Sequence, residues 1–389
     1  MPRPILLCTV GTSLFFPNLA GLRRTMKDDE TKPDDKKLLK PAVRAVAPEL
    51  ANAYDAKDWP TVARLLAQLP TTERLCGAEV NSIASLVAND YAPPDAGVFF
   101  FHSDTDDGRA IAAVLTDLFR SHGHSPVEAV PVPDLQDADP QRFRTRGLRN
   151  LARLLAAKVR DYGPDQCGIN ATGGYKAQIA VAVLMGQAVG VPVYYMHERF
   201  SEIIAFPPMP VAFDYEVWMR ASGLLAVLEK SPQPRSAVAD DWDERFDSLV
   251  EATNIDGVDY LELSAMGQIF HETFRDRFRT SRDRVLPPPA ATKHPPKLGD
   301  HGVINRLRSE LTRLMADVTQ AIPAVIGCET SYCNPDLPEA SRFRLRGNDV
   351  EGIYSDGTAT VKFRVDTTAV TDGQRAAVVA AANEWLVGR

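Results

Sequence analysis

The sequence predicts an α/β chain in two parts: an alternating domain built on a mostly parallel sheet and carrying a helical insertion, then a smaller α+β domain. Three observations predict this. Apolar runs of strand length alternate with amphipathic helical stretches as far as residue 196. The length of 389 residues is about two to three times that of a usual domain, enough for more than one core. Past about residue 215 the alternation gives way to proline-rich loops and to strands with an inside–outside pattern.

The first strand, residues 4–10, is almost wholly apolar, as a strand buried on both faces of a parallel sheet must be. Residues 36–89 carry apolar pairs at helical spacing, within a helical insertion between Thr25 and Ala92. A second buried strand, 98–101, leads through His102 and Ser103 into a helix starting near Asp107. Strand 127–132, helix 141–160, strand 166–169, helix 176–188 and strand 191–196 continue the series, and such alternation implies right-handed crossovers with helices on both faces. The expected first domain is 1–229, followed by a connector, 230–290, and a C-terminal domain, 291–389. Within the connector, 230–241 reads as a linker, 242–254 and 264–278 as helices, and 285–298, with five prolines, as a loop. A helix at 303–319, at least three strands and a closing helix at 373–386 make up the last domain.

Composition removes several classes. Apolar residues are 44% and charged residues 24%, which excludes fibrous and low-complexity chains. The five cysteines, Cys8, Cys76, Cys167, Cys328 and Cys333, have no C-x-x-C pair or zinc-ligand spacing and read as reduced thiols. His271, His294 and His301 are too dispersed for a metal set, and His271 reads as part of a helix surface. No metal and no cofactor are expected. The apolar run at residues 4–10 is too short for a signal peptide, and no stretch approaches the roughly 20 apolar residues of a membrane span. A cytoplasmic protein with no membrane partner is expected. The net charge of −7 argues against nucleic acid for the chain as a whole, but residues 270–364 hold 15 Lys and Arg against 12 Asp and Glu.

In an open parallel sheet, ligands bind beyond the carboxyl ends of the strands. Three loops there share one chemistry: Gly11-Thr12-Ser13, Ser103-Asp104-Thr105 with the Asp106-Asp107-Gly108 that follows, and Asn170-Ala171-Thr172-Gly173-Gly174-Tyr175-Lys176. In the third, two glycines permit close backbone approach, the following helix offers N–H groups to an anion, and Lys176 adds a cation. Neither G-x-x-x-x-G-K-[ST] nor G-x-G-x-x-G occurs. Taken singly, each loop has an ordinary reading, helix capping for the Ser and Thr residues and a tight turn for the glycines. Taken together on adjacent strand ends, they favour a ligand.

These loops resemble those of the CRISPR-associated Rossmann-fold (CARF) domain, a sensor of cyclic oligoadenylates, over about residues 4–225. The resemblance implies a Rossmann-like sheet and a homodimer whose loops surround a ring-shaped ligand, cyclic tetra-adenylate or cyclic hexa-adenylate, acting as activator. Carried over by motif, Gly11, Thr12, Ser13, Asn170, Thr172, Gly173, Gly174, Tyr175 and Lys176 would hold the ribose-phosphate ring, and Ser103, Asp104 and Thr105 its rim. Some members also cleave the ring, and Ser13 and Lys176 match the places such cleavage uses.

The C-terminal domain carries a basic pattern. In 341–347 the residues Arg342, Arg344 and Arg346 alternate with Phe343 and Leu345, and in 360–365 Lys362 and Arg364 alternate with Val361, Phe363 and Val365, so each strand turns its cations to one face. Asp356-Gly357 between them is a hairpin turn signal. A solvated charged face and a phosphate-binding face both fit. The order helix, Asn334-Pro335 loop, Arg-rich strand, hairpin, strand, helix resembles the RelE-type mRNA interferases over about residues 300–389, although 328–335 lacks the lysine usual there. That resemblance implies metal-independent cleavage of mRNA at the ribosome, with Arg342, Arg344, Arg346, Lys362 and Arg364 stabilising phosphate charge and Tyr354 or Tyr332 stacking or moving a proton. The expected protein is a cyclic-oligoadenylate-activated ribonuclease of type III CRISPR defence. The alternatives are a ring nuclease, and a DNA-binding regulator using a winged-helix-like connector with Arg275, Arg277, Arg279, Arg282 and Arg284.

Overall fold

A computed structural model describes residues 2–197, 202–209, 214–299 and 305–389. The chain divides into two compact units, Met1–Ala212 and Phe213–Arg389. His301, and the residues 303–304 expected to begin a helix, lie outside the described residues.

Unit 1 is built on a six-stranded sheet of strands β1 (Ile5–Thr9), β2 (Gly97–Ser103), β3 (Val127–Val132), β4 (Cys167–Asn170), β5 (Val193–Met196) and β6 (Ile203–Phe206), in the order β3-β2-β1-β4-β5-β6. All neighbours are parallel except β5 and β6. This is the expected mostly parallel sheet with one antiparallel edge strand, β6, that the sequence did not suggest. Every residue of β1 is buried, which explains its unbroken apolar run. Leu6, Cys8, Val98 and Phe100 join a core with α2 (Pro41–Asp55), α3 (Trp59–Leu66), α4 (Ala78–Ala88) and α5 (Asp106–Ser121). On the other face Phe99 meets Tyr162 and Lys158 of α7 (Leu148–Tyr162). The insertion between β1 and β2 is thus part of the main core and also includes α1 (Leu22–Glu30), which its polar sequence concealed. A short turn of helix, α6 (Pro140–Arg142), precedes α7, and α8 (Lys176–Val189) follows β4 and ends on Gly190 at φ 75°.

Unit 2 is α+β. Its main sheet is antiparallel, with β10 (Val325–Asn334), β11 (Arg342–Arg346), β12 (Asp349–Ser355) and β13 (Thr360–Thr367) in the order β10-β13-β12-β11. Phe343, Val350, Val361 and Phe363 enter one core with α9 (Tyr215–Lys230), α10 (Ala265–Ser281), α11 (Asn305–Ala321) and the alanine-rich α12 (Asp372–Val387). Residues 230–290, expected as a connector, contribute Val238, Phe246, Leu261, Phe270 and Phe274 to this same core. The helix expected at 242–254 does not form. Glu244–Leu249 is a tight 3-10 turn, and β8 (Val250–Ile255) pairs with β9 (Val258–Leu263), beside the two-residue β7 (Gln233–Pro234). Asp256 and Gly257, at φ 51° and 83°, make the hairpin turn whose Asp-Gly signal overrides the helical spacing before it. His271 is not on a helix surface: it is 1% exposed, and its Nδ1 accepts from Trp218 Nε1 at 3.2 Å. Burial pushes its pKa down to about 4.

Candidate functional site

The order of the unit 1 sheet places the reversal of strand connection between β1 and β4, and the loops leaving these two strands flank the crevice where doubly wound sheets bind ligands. The loops are close enough that a Cβ on Gly11 would stand 2.6 Å from the backbone nitrogen of Gly174, so only glycine fits. Gly174 has φ 99°, a second requirement for glycine. Thr9 Oγ1 donates to the Gly173 carbonyl, stitching strand end to loop.

Glu79 of α4 lies beneath both loops. The Gly11 N–H donates to its Oε1 at 2.7 Å, and a Cβ on Gly173 would fall 2.1 Å from that oxygen. The Ala78 N–H donates to Ser13 Oγ at 3.1 Å, and Asn170 Nδ2 donates to Ser82 Oγ at 2.8 Å. One turn of the inserted helix therefore fixes both predicted loops. Glu79 is 1% exposed, its Oε2 has no hydrogen-bond partner, and burial pushes its carboxyl above the usual carboxylate range against the opposing bonds from Gly11 and Ser13. Nothing in the sequence singles out Glu79, because its role depends on an approach across 68 residues.

The remaining predicted residues divide between inward and outward roles. Thr172 Oγ1 donates to Asn170 Oδ1 at 2.7 Å and accepts from the Met196 N–H at 3.1 Å, so it holds the loop rather than facing out. Tyr175 precedes α8, with its backbone N–H on Gln178 Oε1 and its ring 5.2 Å from Phe143. Phe143, with the exposed Arg142, Arg144 and Arg146 around it, forms a rim that sequence reasoning missed. Thr12 and Lys176 are exposed, and Lys176, at the first position of α8, has no carboxylate partner among the described residues. After β2, Thr105 Oγ1 accepts from the Gly108 N–H at 3.0 Å and lies 2.9 Å from Ser103 Oγ, while Asp104 and Asp106 both pair with Arg109 at 2.7 Å. In this loop the capping reading is the one the contacts describe.

In unit 2 the basic strands do share a face, but β12 runs between them. Across the sheet one row reads Arg342, Ile353, Lys362, Tyr332 and the next Arg344, Glu351, Arg364, Glu329. The expected open basic face is largely closed. Arg342, Arg344 and Lys362 are 2%, 5% and 9% exposed. Arg344 bridges Asp241 and Glu351 at 2.7 Å each, Arg342 meets Asp241 at 2.7 Å, and Lys362 meets Glu339 at 2.8 Å. The alternation in β11 and β13 hid these partners, because each acid comes from another segment. Arg346, on the edge strand β11, and Arg364, on the interior strand β13, remain half-exposed or more, pairing with Glu351 and with Asp366 and Glu329. The Tyr354 hydroxyl donates to Glu310 Oε2 at 2.8 Å, and burial together with that carboxylate pushes its pKa up to about 12, so it holds its proton.

No curated protein matches the chain. Residues 74–209 match the model of a CRISPR-associated protein family, Cas_APE2256, a stretch that contains Glu79, the β2 and β4 loops and Lys176. This similarity supports a role for the chain in CRISPR systems.

Proposed function

We propose that the protein is a cyclic-oligoadenylate-activated endoribonuclease of type III CRISPR defence, with unit 1 as sensor and unit 2 as effector. The observation that carries the sensor half is the crevice between β1 and β4: glycine backbone on both sides, Lys176 at a helix start, and a family match that includes the β4 loop. Helix N–H groups and a free cation suit phosphate oxygens. A ring of identical adenylates suits two copies of such a loop set around a twofold axis, which is why the active species is proposed as a homodimer. Cyclic tetra-adenylate and cyclic hexa-adenylate are the activators to try.

For the effector half, the chemistry is metal-independent cleavage of mRNA at the ribosome. The ribose 2′-hydroxyl attacks the adjacent phosphorus, the 5′ oxygen leaves with a proton, and Arg and Lys side chains stabilise the charge that builds on the phosphate. Arg342, Arg344, Arg346, Lys362 and Arg364 are the cations that share one face of the unit 2 sheet.

A second reading is a ring nuclease in which unit 2 is structural. It is favoured by the burial of Arg342, Arg344 and Lys362 in ion pairs. One experiment separates the two. The full chain is incubated with translating ribosomes, with and without cyclic tetra-adenylate or cyclic hexa-adenylate, and both the RNA ends and the ring are analysed. Activator-dependent new mRNA ends support the first reading, and consumption of the ring with intact RNA supports the second. If neither ring binds, both readings fall.

A further inference from the structure

The basic face of the unit 2 sheet is covered by carboxylates that the sheet does not supply. Asp241 ends the turn Arg235–Asp241 and spans two guanidinium groups, Oδ2 on Arg342 Nε and Oδ1 on Arg344 Nη1, each at 2.7 Å. Glu339, in the segment before β11, lies 2.8 Å from Lys362 Nζ and 3.5 Å from Arg342 Nη2. Arg344 also has Glu351 within the sheet, whereas Arg342 and Lys362, among the described residues, meet carboxylates only from Asp241 and Glu339.

Three features separate this cover from an ordinary internal ion pair. The fit is incomplete: Arg342 Nη2 is buried without a hydrogen bond, with the Glu339 carboxylate 3.5 Å away, which leaves a donor that a tetrahedral anion with more oxygens would use. The basic face also includes Arg346 and Arg364, each half-exposed or more, and the half-exposed Tyr332 ring lies 5.6 Å from Lys362 Nζ, the mix of cations and an aromatic ring that single-stranded RNA favours. The covering element is a tight turn beside Pro232 and Pro234 rather than a strand or an α-helix.

We propose that Asp241 and Glu339 stand in for RNA phosphates on this face, so that a single-stranded RNA backbone competes with the 235–241 turn for Arg342 and with the segment before β11 for Lys362. Exchanging one anion for another leaves no buried cation unpaired, which makes the exchange feasible where simple opening would not be. The inference rests on the ribonuclease reading and adds where the RNA backbone lies and what keeps it out.

The test uses the full chain and a short fluorescein-labelled single-stranded RNA. The isosteric double variant Asp241→Asn, Glu339→Gln should bind this RNA about tenfold or more tightly than the unaltered protein without activator, and adding Arg342→Gln should remove the gain. Melting curves report whether the variants fold. If they do not, hydrogen exchange on the unaltered, activator-loaded protein decides: the amides of 235–241 should exchange faster when RNA is bound. RNA binding that leaves their protection unchanged, or a folded double variant with no gain in affinity, overturns the competition while leaving the ribonuclease intact. Activated protein that neither binds nor cuts RNA removes the ribonuclease reading, and this inference with it.

Discussion

The two candidate regions treat charge in opposite ways. At the unit 1 crevice the predicted cation, Lys176, is exposed and has no carboxylate partner among the described residues, while the backbone around it is locked by glycines and by Glu79. On the unit 2 sheet the predicted cations Arg342, Arg344 and Lys362 are buried and already neutralised. A charge left waiting affects binding when removed. A charge already paired in the interior affects the fold first, because its loss strands a carboxylate.

Substitutions can break or sharpen that contrast, and Arg344→Met should have the largest effect. It removes the cation shared by Asp241 and Glu351, leaving them only Arg342 and Arg346, at a cost of about 3 kcal/mol in urea unfolding followed by tryptophan fluorescence. A loss well below 1 kcal/mol would erase the distinction between the two regions. Gly173→Ala comes next. Its Cβ would meet Glu79 Oε1 at 2.1 Å and the Thr9 carbonyl at 2.7 Å, so a destabilisation of about 2–3 kcal/mol and loss of cyclic oligoadenylate binding in calorimetry are expected.

The pH dependence of unit 2 should be smaller. Because burial lowers the His271 pKa from 6.5 to about 4, the unfolded chain binds more protons between these values. Stability is then full above about pH 6.5 and falls as the pH drops toward 4, in melting curves. His271→Gln, which keeps an acceptor for Trp218 Nε1, should flatten that slope. Smallest of all is the stability change in Lys176→Ala, within about 0.5 kcal/mol, although its affinity for cyclic tetra-adenylate should drop roughly tenfold or more. A Lys176→Ala variant that melts early would show that this side chain is structural after all.

What could be read from the sequence follows the range of the forces involved. The alternation of β1, β2, β3, β4 and β5 with helices is a local pattern, and the mostly parallel sheet followed from it. So did the Asp356-Gly357 turn, where Gly357 has φ 89°. The helix expected at 242–254 failed because its spacing competed with the Asp256-Gly257 turn just beyond it. Glu79 under Gly11, and Asp241 on Arg342 across 101 residues, depend on tertiary approach and leave no periodic trace. The acid-free alternation of β11 and β13 was real, but their neighbours on β12 and in the covering turn decide the environment. In the loop after β2 the local reading was enough to find the Thr105 cap, whose Oγ1 accepts from the Gly108 N–H.

The contact of Gly11 with Gly174 also limits how the crevice can be redesigned. Its floor is main chain, so amino-acid exchange there alters the spacing of the two loops instead of the chemistry shown to a guest. A library aimed at a guest of different size should hold positions 11, 173 and 174 constant and vary the exposed Thr12 and Lys176.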